Sequence, residues 1–197
     1  MHMTHNFDVG PLPRGPVEAI DFAGREGIVG SVIMENSGRP VWHSRTTLSV
    51  SDGMTAGAGE VRLYPLREGA ADVATIEPMY GNEVVYYRGG PGPGQTSRSI
   101  LDDSLAEGHA LACADFLGIQ HDQIVAGWRA PNKEKKVGIK MYVPLDDKGE
   151  KWQTHVIDDN QMACEDLKIA DLDGDGQPDI IASGRATHNL VIYWNRT

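Results

Sequence analysis

Short apolar segments alternate with turn-forming residues along most of the chain. Runs of consecutive small or β-branched apolar residues occur at Val73–Ile76, Ile124–Ala126 and Ile180–Ala182. Each run is followed by a loop and then by a segment of alternating character with aromatic ends, such as Leu190–Trp194. No stretch sustains the 3.6-residue period of an amphipathic helix. The pattern therefore predicts an all-β protein built from short strands, with the three apolar runs buried.

The predicted strands recur as an internal repeat. A shift of 56 residues aligns Ser99–Asp103 with His155–Asp159, and a shift of 107 residues aligns Asn82–Tyr87 with Asn189–Trp194. Each unit contains four short strands in roughly 50 residues, which is typical of a β-propeller blade. A single blade cannot bury both of its faces, so neighbouring blades must stack around an axis. The repeat predicts a β-propeller of about four blades.

We place the repeat units at approximately 17–50, 51–105, 106–160 and 161–197, after an N-terminal segment at 1–16. The last unit ends at Trp194–Thr197, before its fourth strand. Residues 1–16 could supply that strand and close a ring, or the chain could be part of a larger ring completed by association. Association is slightly favoured, because unpaired strand edges and exposed apolar blade faces normally associate.

The composition and the apolar pattern argue against several partners and against a membrane span. A formal net charge of −10 disfavours nucleic acid and anionic membranes as partners. No apolar run is long enough for a transmembrane helix, and the N-terminus has no apolar segment that indicates a signal peptide. Cys113 and Cys164 lie in apolar strand-like runs and are predicted to be buried free thiols rather than a disulfide.

One acidic loop, at 171–179, is suited to binding a metal ion. Its carboxylates fall at positions 1, 3, 5 and 9, and its position 7 offers a main-chain carbonyl. The five candidate ligands are Asp171, Asp173, Asp175, Asp179 and the carbonyl of Gln177. This spacing can turn several oxygens onto one hard cation such as Ca²⁺. An EF-hand would require Glu at position 12, where the chain has Ala182. The alternative is a solvated acidic turn without a metal.

The segment Ala170–Ile181 resembles the FG-GAP/VCBS repeat family, the Ca²⁺-loop propellers related to the integrin α-subunit head. The resemblance implies a propeller fold, with Ca²⁺ bound by those five ligands in the turn between the first two strands of a blade. It also suggests an extracellular or periplasmic location. The third unit keeps Asp115 but has Leu117, Ile119 and Gln123 at the positions of the other carboxylates. One full calcium site is therefore expected.

A second group of candidates lies where a propeller would have its central channel. His109 and Glu165 are equivalent at the 56-residue shift and could converge near the axis, as a metal site or an acid/base pair. Together with His188 they are the candidate catalytic residues. The loops after the buried runs carry the candidate ligand-binding residues, which are Glu77, Tyr80, Arg129, Arg185 and His188. The alternative for all of them is a structural role between neighbouring units.

Two classes of function remain open. The first is a non-catalytic, calcium-stabilised module for binding or assembly, with itself or another propeller segment as partner and a carbohydrate as possible ligand. The second is a carbohydrate-active lyase, because Glu107–His109 and Arg185–Asn189 resemble the propeller part of aldos-2-ulose dehydratase. That resemblance implies a metal held by His109, Glu165 or His188 and abstraction of a proton α to a carbonyl. Whether the chain is an enzyme stays open.

Overall fold

The computed structural model describes residues 17–23, 26–34, 40–48, 58–64, 72–89 and 96–197, the first three ranges as backbone strands only. All regular secondary structure within these ranges is β-strand, so the predicted all-β class is correct. In the same ranges, no helix is long and apolar enough to cross a membrane. The predicted N-terminal closing segment, 1–16, lies outside the described residues.

The described strands form four antiparallel sheets, each made of strands that are consecutive along the chain. Sheet 1 contains β1 (Val17–Ala23), β2 (Glu26–Met34) and β3 (Pro40–Leu48). Sheet 2 contains β4 (Glu60–Leu63), β5 (Val73–Glu77), β6 (Glu83–Gly89) and β7 (Thr96–Asp102). Sheet 3 contains β8 (Gly108–Ala114), β9 (Gln123–Trp128), β10 (Gly138–Pro144) and β11 (Trp152–Asp159). Sheet 4 contains β12 (Cys164–Ala170), β13 (Asp179–Gly184) and β14 (Asn189–Tyr193).

The three apolar runs are the second strands of sheets 2, 3 and 4. They lie in β5, β9 and β13, at equivalent places in three separate sheets, as predicted. Every residue of β5 and β9 is buried, which explains why these strands show no polar alternation. In β13 only Ile181 of the predicted run is partly exposed.

The sheets pack through their first strands. β1 contacts β4, β4 contacts β8, and β8 contacts β12. One apolar cluster joins sheets 2 and 3 around Tyr86, Leu111 and Tyr142, and a second joins sheets 3 and 4 around Val125 and Leu167. Of the described strands, β12 makes no comparable contact with β1, so the first strands form an open series.

The acidic pairs at the ends of the fourth strands connect neighbouring sheets. The carboxylate of Asp102, at the end of β7, accepts hydrogen bonds from Tyr142 and Lys140 of β10, both at 2.8 Å. Asp158, near the end of β11, accepts one from Tyr193 of β14 at 2.8 Å. Burial alone would raise the pKa of Asp102, but the hydrogen bonds to its carboxylate outweigh burial and lower it. The repeated acidic residue thus joins one sheet to the next.

Candidate functional site

The acidic loop is the turn between β12 and β13. The carboxylate of Asp171 accepts hydrogen bonds from the main-chain N–H groups of Gly174, Asp175 and Gly176, at 2.8, 3.2 and 2.9 Å. Gly174 and Gly176 have φ angles of 76° and 86°. These left-handed conformations suit glycine and let the turn wrap around the Asp171 carboxylate.

Asp179 fastens the turn to the chain that follows β14. Its side chain is fully buried. Its two oxygens accept hydrogen bonds from the main-chain N–H of Leu172, at 3.0 Å, and of Asn195, at 2.9 Å. A buried carboxylate needs such partners, and this one links the first residues of the turn to the end of the sheet.

Three of the four predicted carboxylates come together. Single oxygens of Asp171, Asp173 and Asp179 all lie within 4.8 Å of one another. Oxygen ligands of one Ca²⁺ lie 2.3–2.6 Å from the ion and hence no more than about 5 Å apart, so the spacing of these three carboxylates allows them to hold a metal ion of this kind. Asp175 lies outside the set, and the main-chain N–H of Gln177 donates to it at 2.9 Å.

Arg196, which no sequence pattern singles out, lies against the turn. Its guanidinium contacts Asp173 at 2.6 Å and Asp175 at 3.3 Å, and it lies 5.5 Å from the ring centroid of Trp194. The hydrogen bond from Arg196 lowers the pKa of Asp173. A single arginine beyond the last strand carries no signal in the repeat, so only the folded chain reveals this contact.

The second candidate site lies at the opposite end of the strands, where β8 and β12 begin. We call Tyr80, Glu107, His109, Arg129 and Glu165 the Glu165 cluster. The Nδ1 atom of His109 lies 2.7 Å from the main-chain carbonyl of Glu165 and donates to it. Its Nε2 atom is 3.9 Å from a carboxylate oxygen of Glu165. His109 and Glu165 therefore converge across the boundary between sheets 3 and 4.

Arg129 ties the cluster together. Its guanidinium donates to Glu165 at 2.7 Å and to Glu107 at 3.0 Å. It also lies 4.9 Å from the ring centroid of Tyr80, which stacks on His109 at a centroid distance of 4.9 Å. Tyr80 and Glu107 have positive φ angles, 56° and 50°, an uncommon conformation for residues other than glycine. Both also line an open groove of about 520 Å³ between sheets 2 and 3.

One oxygen of Glu165 has no hydrogen-bond partner among the described residues, although it is buried. Its other oxygen is shared by Arg129 and, at 4.0 Å, by Arg185. An unpaired buried carboxylate oxygen is unfavourable, and such a group needs a donor. The free oxygen therefore marks a place where a ligand or water molecule can donate a hydrogen bond.

Of the other predicted ligand-binding residues, Arg185 borders this cluster at 4.0 Å from Glu165, and two lie apart from it. Glu77 is buried in sheet 2, where it accepts hydrogen bonds from Thr75 at 2.6 Å and Arg98 at 2.9 Å. It has a structural role. His188 is exposed on the turn between β13 and β14. Within the described ranges, the acidic triad is the only group of three or more candidate metal ligands, so no third ligand accompanies His109 and Glu165.

Comparison by sequence adds no family assignment. No protein-family model and no curated protein matches the chain.

Proposed function

We propose that the chain is a calcium-stabilised β-propeller module of the FG-GAP/VCBS type that serves binding or assembly. The observation that carries the proposal is the triad of Asp171, Asp173 and Asp179, with oxygens within 4.8 Å of one another. The triad belongs to the turn between the first two strands of a sheet, which is where the family resemblance implies Ca²⁺. When bound there, the ion would offset the mutual repulsion of the carboxylates and stabilise the turn.

The arrangement of the sheets supports the propeller part of the proposal. Each of the four sheets falls within one repeat unit of the sequence, and successive sheets pack through their first strands. In a propeller the first strand of each blade lines the central axis. The Glu165 cluster, at the start of β8 and β12, would then lie at one mouth of the channel.

The Glu165 cluster is the proposed ligand site. It offers a buried acceptor without a described partner on Glu165, a guanidinium donor on Arg129 and an aromatic ring on Tyr80, and the guanidinium of Arg185 lies at its edge. This mixture of donors, an acceptor and an apolar ring suits a hydroxyl-bearing ligand such as a carbohydrate. The geometry lends less support to the lyase alternative, because no third candidate metal ligand accompanies His109 and Glu165 among the described residues.

The assembly part of the proposal is association with a second copy. The first strands form an open series, and no described strand pairs with the outer edge of β14. On that strand the side chain of Leu190 is 67% exposed. An open edge with an exposed apolar residue favours pairing with another chain.

Thermal melts of the full chain with Ca²⁺ and with chelator test the calcium site. We expect Ca²⁺ to raise the melting temperature, because a ligand that binds only the folded state stabilises it. Metal analysis should find one ion per chain, and light scattering should find an assembly larger than a monomer. A melt that is indifferent to both Ca²⁺ and chelator would overturn the calcium site, and a stable monomer would overturn the assembly.

A further inference from the structure

The carboxylates of the acidic turn divide into two pairs according to what they contact. Asp171 and Asp179 accept hydrogen bonds from main-chain N–H groups and hold the turn in shape. Asp173 and Asp175 instead share the guanidinium of Arg196. The first pair is held by the backbone, whereas the second is neutralised by a side chain, and Asp175 also accepts one main-chain hydrogen bond from Gln177. Asp173 belongs both to the second pair and to the proposed calcium triad.

We propose that Arg196 is an internal cation that competes with Ca²⁺ for Asp173 and so sets the affinity of the turn for the ion. The inference rests on the proposed calcium site. A guanidinium and a divalent cation on the same carboxylate repel each other, so Arg196 at Asp173 opposes binding of the ion, and the ion favours its departure. The cost of separating Arg196 from Asp173 and Asp175 is subtracted from the binding free energy.

The structure allows Arg196 to leave without disturbing its neighbours. Asn195 is fixed by its main-chain hydrogen bond to Asp179 and by its side-chain amide, which donates to the carbonyl of Phe116 at 2.7 Å. The hydroxyl of Thr197 donates to the same carbonyl at 3.2 Å. The backbone on both sides of Arg196 is therefore anchored, while its side chain is 61% exposed. A rotamer change alone can move the guanidinium off the turn.

Calorimetric titration of the full chain with CaCl₂ tests this inference, using wild type and three variants. Arg196→Gln removes the charge, and Arg196→Lys keeps it. Lys168→Gln is the matched control, because it removes one exposed positive charge from β12, the strand that leads into the turn. We expect Arg196→Gln to bind Ca²⁺ about fivefold more tightly, the change in affinity that separating two exposed ion pairs implies. Arg196→Lys should lie near wild type, and Lys168→Gln should change little.

Melting in chelator gives a second readout, and Lys168→Gln shows how much of any change comes from the general loss of one positive charge. Without Ca²⁺, Arg196→Gln should melt at a lower temperature than wild type, because Asp173 and Asp175 then repel each other unopposed. Added Ca²⁺ should raise its melting temperature by more than it raises that of wild type. Equal or weaker Ca²⁺ binding by Arg196→Gln, or an equal gain in Lys168→Gln, would overturn the competition. Absence of Ca²⁺ binding in all four proteins would overturn the calcium site itself and the competition with it.

Discussion

Sheets 3 and 4 contain equivalent turns, at 115–123 and 171–179, that differ in chemistry but share one hydrogen-bond pattern. Asp115 and Asp171 open the two turns. Asp115 accepts hydrogen bonds from the N–H groups four and five residues later, at 2.9 and 2.8 Å. Asp171 accepts them from the same two positions, at 3.2 and 2.9 Å. The first aspartate therefore shapes the turn whether or not other carboxylates follow.

The last positions of the two turns also correspond. Gln123 and Asp179 are both fully buried, and each accepts a hydrogen bond at 3.0 Å from an N–H near the start of its turn. The third and fifth positions differ, since sheet 3 has exposed Leu117 and Ile119 where sheet 4 has Asp173 and Asp175. The contacts common to both turns are made by the first and last positions. Of the two middle carboxylates of sheet 4, Asp173 belongs to the triad, whereas Asp175 accepts a main-chain hydrogen bond from Gln177.

The largest expected effect comes from Asp179→Ala compared with Gln123→Ala. Each change removes a buried acceptor, and Asp179→Ala leaves the N–H groups of Leu172 and Asn195 without their partner. We expect each variant to lose about 2–3 kcal/mol in free energy of unfolding, measured by urea denaturation in chelator. Only Asp179→Ala should also lose the response to Ca²⁺. A retained Ca²⁺ response in Asp179→Ala would show that the buried carboxylate is not a ligand.

Asp173→Ala compared with Leu117→Ala separates ion binding from folding. At a Ca²⁺ concentration of about 100 times Kd, a single site adds about 2.7 kcal/mol of stability, and Asp173→Ala should lose most of it. In chelator Asp173→Ala should change stability little, because its ion pair with Arg196 lies at the surface. Leu117→Ala should leave the Ca²⁺ increment intact. Denaturation curves with and without Ca²⁺ measure the stability gained from the ion. An equal gain in Asp173→Ala and Leu117→Ala would show that Asp173 is not a ligand.

Much of the fold follows from the sequence because its strongest signals are local. The apolar runs of β5 and β9 and the acidic spacing of 171–179 lie within short windows. The contact of Arg196 with Asp173 spans 23 residues and arises only when the chain after β14 returns to the turn. Glu77 was expected near the ligand site, but Arg98, 21 residues away, pairs with it in sheet 2. Charged residues at the ends of strands are placed by partners that no local pattern identifies.

Substitutions at the left-handed backbone position of each turn are expected to change stability by smaller amounts and in opposite directions. Gly176 and Gln120 are equivalent and have φ angles of 86° and 64°. A Cβ at Gly176 would meet no atom within 4 Å, so Gly176→Ala tests the conformation alone. We expect it to destabilise the protein by about 1 kcal/mol, and Gln120→Gly to stabilise it by a similar or smaller amount. Thermal melts in chelator measure both, and a destabilised Gln120→Gly would contradict the equivalence of the turns.

The smallest effect concerns Asp122, which stands in sheet 3 where sheet 4 has Pro178. Burial, and then the charge of Asp115, raise the pKa of Asp122. The folded state therefore holds this proton more tightly than the unfolded chain. Protonated Asp122 therefore contributes to the stability of the folded state at low pH, and this contribution is lost as the pH rises through the raised pKa.

Asp122→Asn should consequently raise the melting temperature slightly at neutral pH and have no such effect well below the ordinary pKa of aspartate. The main-chain carbonyl of Asp122, which accepts a 2.5 Å hydrogen bond from Tyr64, is retained in this variant. Asp147→Asn, at an exposed position in the turn between β10 and β11, controls for the change in net charge. Melting temperatures across the acidic range test the sign. A loss of stability at neutral pH would mean that the Asp122 carboxylate supports its turn, as Asp179 supports the turn of sheet 4.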